Sequence, residues 1–283
     1  MNVVVSDIVT ELKEILVKLF IGDCVIALAG AHAKGVEDIN SDIDLFAFIN
    51  GMKAYEEVFA IIQEIADKNE RIYISRSYVN APWGGSIDFY YKGIPIEVAV
   101  KDLETFKKQI DLSIAGKFDI IPATWTSNGY YTYICLCEVS FLIPIYDKLD
   151  FISNYQAKTS QYPIPLKKTI INTFYNRAKT WIRNFHYTSA IKRADLLFIS
   201  PIILHTILDI IQVIFALNEH YYPGDKKLVS ELKKLNYCPD ILIQNVKLLL
   251  QASDDYDVLM LQKGLLEKIM DDIKNEIIQQ KII

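Results

Sequence analysis

Two aspartates spaced i, i+2, Asp42 and Asp44, open an apolar run that continues to Ile49. On a strand, residues two apart face the same side, so both carboxylates project together while Ile43 and Leu45 point the other way. Two hard carboxylates held side by side suit Mg²⁺, which prefers oxygen ligands and completes its shell with water and substrate phosphates. A third carboxylate from a neighbouring strand would let two ions bridge the attacking and leaving oxygens of a phosphoryl or nucleotidyl transfer. Glu97 is the first candidate, because it sits between Ile96 and Val98 in a stretch that otherwise reads as buried, and a charge there needs a partner. A desolvated Glu97 would also suit a general base. Asp88, on the preceding apolar run, is the second candidate. The competing reading leaves either carboxylate facing solvent on a half-exposed sheet.

The elements that must position these groups are legible around them. Val9, Leu12, Ile15, Leu16 and Leu19 recur at helical spacing over residues 6–20, with Ser6 or Asp7 as cap. A short buried strand, Cys24 to Ala29, then delivers the chain to Gly30, where the absence of a Cβ permits close backbone approach. The N–H groups that follow can open a helix N-terminus aimed at phosphate. His32 in this turn has two readings, a phosphate or ribose contact and a solvated loop histidine. The pattern continues with a strand from Asp42 to Ile49, a helix over 53–68 and a strand over 71–79. Two further strands, 86–91 and 94–100, are separated by Lys92-Gly93, a tight-turn signal. The region 103–146 mixes apolar helical patches with Gly116, Pro122, Gly129 and Pro144.

After Tyr162-Pro163-Ile164-Pro165 long helical periods take over. One apolar face collects Ile170, Ile171, Phe174, Ala178, Trp181, Ile182 and Phe185. Leu196 to Leu217 is apolar nearly all round, and Leu259 to Ile278 is amphipathic. The expected fold class is therefore α+β: a mixed β-sheet with flanking helices over residues 1–150, then an all-helical domain over 151–283.

With the Gly turn, about ten residues, and then Asp-x-Asp on a strand, the chain resembles the nucleotidyltransferase superfamily, whose members include aminoglycoside and lincosamide nucleotidyltransferases and DNA polymerase beta. The pattern stands here as Gly30-Ala31, residues 32–41, then Asp42-Ile43-Asp44, and Ala33-Lys34-Gly35 is similar to the Ala-Arg-Gly of small bacterial members. Arg193-Ala194-Asp195 and the run from Ala216 to Lys226 are similar to the C-terminal region of bacterial small-molecule nucleotidyltransferases. The resemblance implies a Mg²⁺-dependent transfer of a nucleoside monophosphate, AMP from ATP foremost, to a hydroxyl of a small molecule such as an aminoglycoside or lincosamide antibiotic. It implies metal binding by Asp42, Asp44 and Glu97, with the same three as catalytic residues. Nucleotide contacts are implied at Gly30, Ala31, Lys34, Ser41, Arg193 and Lys226, with the helical domain as the substrate- and nucleotide-binding part. Family members usually carry Ser where this chain has Ala31. The missing hydrogen bond to a charged group is worth roughly 1.5 to 3 kcal/mol, so the second reading is a nucleotide-binding or regulatory protein of the same fold that has lost catalysis.

The rest of the composition narrows the setting. With 30 Lys plus Arg against 35 Asp plus Glu, the net charge of -5 gives no general attraction to nucleic acid, and no nucleic-acid partner is expected. Cys24, Cys135, Cys137 and Cys238 are scattered, without a second close pair to complete a zinc site. They read as reduced core residues of a cytoplasmic protein. The N-terminus lacks the pattern of a signal peptide. Leu196 to Asn218 is apolar enough to raise a membrane question, but Pro201, His205, Asp209 and Gln212 interrupt it, and ionisable groups at mid-bilayer are costly, so a buried helix is expected. Monomer and homodimer both stay open.

Overall fold

The computed structural model describes residues 3–123, 126 and 128–282. They form two compact units. The first holds the described residues through Ser113 together with 118–121 and 130–161; the second holds 114–117, the described residues of 122–129, and 162–282.

In the first unit the order is α1 (Val3–Leu16), β1 (Cys24–Leu28), α2 (Gly30–Lys34), β2 (Ile43–Ile49), α3 (Tyr55–Ile65), β3 (Tyr73–Ser75), β4 (Gly85–Tyr91), β5 (Ile94–Asp102) and α4 (Leu103–Ile114). Then come β6 (Ile120–Ile121), β7 (Tyr130–Tyr131), α5 (Ile134–Phe141), β8 (Ile143–Tyr146) and α6 (Phe151–Thr159). Six strands make one mixed sheet in the order β3-β4-β5-β2-β1-β8, and β6 pairs with β7. The β2–β5 pair is parallel and the others are antiparallel. The fold is α+β, as the alternation of the strands and the helical periods predict.

Alternation sorts the two faces of this sheet. Ile43 and Leu45 of β2, with Ile96, Val98 and Val100 of β5, are buried in one core with Ile8, Leu12 and Leu16 of α1 and Val58 and Ile62 of α3. The opposite face is covered near the C-terminal end of β2, where the Phe48 ring packs, tilted, with its centre 4.6 Å from that of Phe106 of α4 and 5.0 Å from that of Phe151 of α6. At the other end of β2 and β5 it carries the half-buried Asp44 and the exposed Glu97.

One strand of this unit departs from the sequence pattern. The strand expected over 71–79 stops at Ser75 and gives way to a turn of 3₁₀ helix, Ser77–Val79. The Ser77 hydroxyl donates to the Gly84 carbonyl at 2.8 Å, and this closes the loop and ends the strand. Gly30 begins a single helical turn, α2, which Gly35 ends at φ 65°. The hairpin between β4 and β5 forms as the sequence predicts. Lys92 and Gly93 both have positive φ, and their N–H groups donate to the Asp67 carboxylate at 3.0 and 2.6 Å.

The second unit contains α7 (Ile164–Arg183), α8 (Phe185–Ile191), α9 (Leu196–Leu217), α10 (Leu228–Leu232), α11 (Asp240–Leu249) and α12 (Tyr256–Gln279). Helix α9 packs against α7, α8 and α12. Of the described helices it alone is long and apolar enough to cross a membrane, and 67% of that stretch is buried within the fold. Its Asp209, 0% exposed, takes both oxygens to the Arg177 guanidinium, with Nε donating at 3.0 and 2.8 Å. Burial raises the Asp209 pKa, against the lowering effect of Arg177. Phe185 is a correction to the expected apolar face. Helix α7 ends at Arg183, the Asn184 side chain caps α8 by accepting from the His186 N–H, and Phe185 is left 73% exposed.

Candidate active site

Asp42 precedes β2 and Asp44 lies inside it, and the parallel register of β2 with β5 places Glu97 directly beside Asp44. One carboxylate oxygen from each of Asp42, Asp44 and Glu97 lies within 4.8 Å of the others. Like charges this close repel, and a hard cation among them removes the repulsion while taking oxygen ligands it prefers. Asp88 sits on the other flank of Glu97, opposite it in the β4–β5 ladder. Burial raises its pKa, partly offset by the Ser86 hydroxyl, which donates to Oδ2 at 3.2 Å. Of the two candidates for third carboxylate, it is therefore Glu97 that joins Asp42 and Asp44.

The glycine turn is built around one of these carboxylates. Gly30 has φ 58°, and a Cβ there would fall onto the Asp44 carboxyl group, 2.8 Å from the Asp44 Cβ. The Ala29 N–H donates to the Asp44 carbonyl at 2.9 Å, which fastens the turn to β2. Only glycine meets both demands, the left-handed backbone and the empty space. The residues thus fit a divalent ion: three oxygen donors from two neighbouring strands, with room cleared for one of them by a residue that lacks a side chain.

The other expected contacts are distributed. Ala31 follows Gly30 in α2. Lys34 is exposed, with its Nζ 4.1 Å from the centre of the Phe141 ring. The Ser41 hydroxyl accepts from the Asp38 N–H at 2.9 Å, and Asp38 Oδ1 accepts from the Asn40 N–H at 2.8 Å, so this loop is internally bonded just ahead of Asp42. Arg193 and Lys226 belong to the second unit and are exposed. Lys226 follows a segment in which the Tyr222 hydroxyl donates to Asp225 at 2.7 Å. His32 corrects the solvated-loop reading. It is 8% exposed, and its Nδ1 lies 3.8 Å from Glu37 Oε1, beyond hydrogen-bond distance.

Two features escaped the sequence pattern. Lys101, on the same side of β5 as Glu97 by strand alternation, is 4% exposed and donates to both oxygens of Glu138 at 3.0 and 2.9 Å. A cavity of about 440 Å³ beside Glu97 is lined by Arg71, Tyr73, Asp88, Tyr90 and Pro95. A lysine following Val98-Ala99-Val100 was the available signal for the first; the second depends on strand pairing. The four cysteines are free thiols, Cys24 and Cys135 buried and the other two half-buried.

Comparison with known proteins adds the following. A family described as a domain of unknown function, DUF4037, matches residues 136–228, under half of the chain. No curated protein matches. Among solved structures, the chain is similar to a nucleotidyltransferase-like protein from Exiguobacterium sibiricum 255-15, with a TM-score of 0.46 and 8% identity, covering 92% of this chain and 72% of that one.

Proposed function

We propose that the protein is a divalent-metal-dependent nucleotidyltransferase that moves a nucleoside monophosphate, AMP from ATP foremost, to a hydroxyl of a small acceptor in the cytoplasm. The observation that carries this reading is the approach of the Asp42, Asp44 and Glu97 carboxylates to within 4.8 Å around a glycine whose missing side chain leaves room for Asp44. These three residues would hold Mg²⁺, which when bound lowers the charge on the phosphates and orients them. Gly30 and Ala31 offer backbone N–H groups at the start of α2 that have no acceptor within the helix. Lys34 and Ser41 are the further nucleotide contacts of the first unit in this reading, with Lys34 leaving its place over Phe141 to serve.

In the transfer, the acceptor oxygen forms a bond to the α-phosphorus and the bond to the bridging oxygen of the β-phosphate breaks. Pyrophosphate leaves with that electron pair. The hydroxyl proton passes to a carboxylate of the site, Glu97 in this reading, although Glu97 is exposed and not desolvated as its apolar neighbours in the sequence suggest. Aminoglycoside and lincosamide antibiotics are the acceptor classes to try first, on the family resemblance.

The test is mass spectrometry of an acceptor library incubated with the protein, mixed nucleoside triphosphates and Mg²⁺. A mass gain of one nucleotide, absent with Asp42→Asn, is the expected result. Ala31 favours a second reading, nucleotide binding without turnover, and calorimetry separates the two. ATP binding that needs Mg²⁺, with no product from any acceptor, supports the second.

A further inference from the structure

We propose that the second unit carries a docking site for an anionic phospholipid surface, formed where α7 ends, α8 runs and α9 begins. A cationic cavity takes a lipid headgroup there, and the exposed Phe185 and Leu197 enter the acyl layer beside it.

Charge is segregated along the chain. From Tyr162 to Ala194 the sequence has seven lysines and arginines and no acidic residue, although the whole chain carries -5. Lys167 and Arg177 are taken by Glu219 and Asp209. Lys168, Lys179, Arg183, Lys192 and Arg193 are exposed in whole or in part. Helical spacing puts Lys168, Lys179 and Arg183 on one side of α7. At the end of that side a cavity of about 460 Å³ is lined by Asn176, Lys179, Thr180, Arg183, Asn184 and Phe185. Among the described residues no carboxylate lines it; Glu267 and Asp271 line the adjoining cavity, toward α12. An ammonium, a guanidinium, two amides and a hydroxyl around one space are donors for a phosphate.

Apolar side chains stand beside this cavity. Arg177 pairs with Asp209, and Trp181 stacks on His205 with ring centres 6.2 Å apart, so α7 runs antiparallel to α9 and ends where α9 begins. Phe185, 73% exposed, follows the end of α7, and Leu197, 92% exposed, lies in the first turn of α9. Helical spacing sets Leu197, Pro201 and Leu204 on one exposed stripe of α9. Helix α8 buries Tyr187, Ala190 and Ile191 and leaves Phe185 and Lys192 on its outer side. A free anion has no use for Phe185 and Leu197. The bases of a nucleic-acid strand could stack on Phe185 but leave the aliphatic Leu197 and Leu204 in water. A lipid surface offers anionic headgroups and an apolar layer side by side, which answers the cations and the apolar residues together. The apolar stretch of α9 is 67% buried within the fold, so the contact is peripheral and no helix crosses the bilayer.

Co-sedimentation of the full chain with vesicles of phosphatidylcholine alone, and of phosphatidylcholine mixed with phosphatidylglycerol, tests this. The protein should pellet with the mixed vesicles only, and less as salt is raised. Lys179→Gln and Arg183→Gln should each lower the partition coefficient about fivefold. Phe185→Ser and Leu197→Ser should each lower it about tenfold, with circular dichroism of every variant unchanged. No pelleting with the mixed vesicles at low salt, equal pelleting with neutral ones, or pelleting indifferent to all four substitutions overturns the assignment. Two further measurements cover the other occupants of such a face. A dimer in sedimentation velocity that Leu197→Ser dissociates makes the face a contact between copies of this chain, and a single-stranded oligonucleotide bound through Phe185 by protein that ignores the vesicles makes it a nucleic-acid site; either overturns the lipid assignment.

Discussion

Gly30 and its neighbour Ala31 divide the residue-scale argument between space and hydrogen bonding. At Gly30 space decides, since any side chain displaces the Asp44 carboxylate. Gly30→Ala should weaken Mn²⁺ binding by about 10- to 100-fold, the range for residues that orient metal ligands, with circular dichroism unchanged; calorimetry measures it. At Ala31 a hydrogen bond is missing, and Ala31→Ser should restore about one to two decades of nucleotide affinity, read by titrating ATP with Mg²⁺. Unchanged affinity would show that the position does not meet phosphate. Cys238 gives a pH-dependent prediction outside the site. Burial, with Asp240 adding to it, pushes its thiol up to about 11, so the thiol stays protonated until the solution is strongly alkaline. At pH 8 iodoacetamide should modify it about two orders of magnitude more slowly than an ordinary thiol, as mass spectrometry of the Cys238 peptide would report.

Elements hold these groups by register, and register separates what the sequence makes legible from what it does not. Asp42 and Asp44 are readable as a pair because strand alternation is local. Glu97 is readable as anomalous because Ile96 and Val98 flank it. That Glu97 rather than Asp88 completes the group follows from the parallel pairing of β2 with β5, a contact across more than fifty residues that no local pattern carries. The early end of β3 is hidden for the same reason, since a bond from Ser77 to Gly84 makes it. Phe185 was misplaced because its apolar character fits the helical period of α7, while the Asn184 cap that interrupts that period is a matter of side-chain geometry. Within α9, Asp209 reads in the sequence only as an obstacle to a membrane span; its partner, Arg177, comes from α7. Arg177→Leu leaves that carboxylate buried and unpaired and should cost about 3 to 5 kcal/mol of stability, whereas the double replacement with Asp209→Leu should recover much of it. Urea unfolding of both variants decides whether the pair acts as a unit.

For the whole molecule, a cation held by the folded carboxylate site and not by the unfolded chain stabilises the fold. Mg²⁺ or Mn²⁺ should therefore raise the melting temperature, by the equivalent of about 2.7 kcal/mol at a concentration one hundred times the dissociation constant. Asp44→Asn should respond less than the natural sequence when metal is added. Scanning calorimetry across a metal titration shows both effects, and a natural sequence indifferent to either ion would count against the site. The central claim is that Asp42, Asp44 and Glu97 form a metal centre for nucleotidyl transfer. Its most direct test is the anomalous density of crystals grown with Mn²⁺ and a non-hydrolysable ATP analogue. The account predicts a peak among these three carboxylates with the nucleotide's phosphates against it; manganese bound elsewhere, or none at saturating concentration, would contradict it.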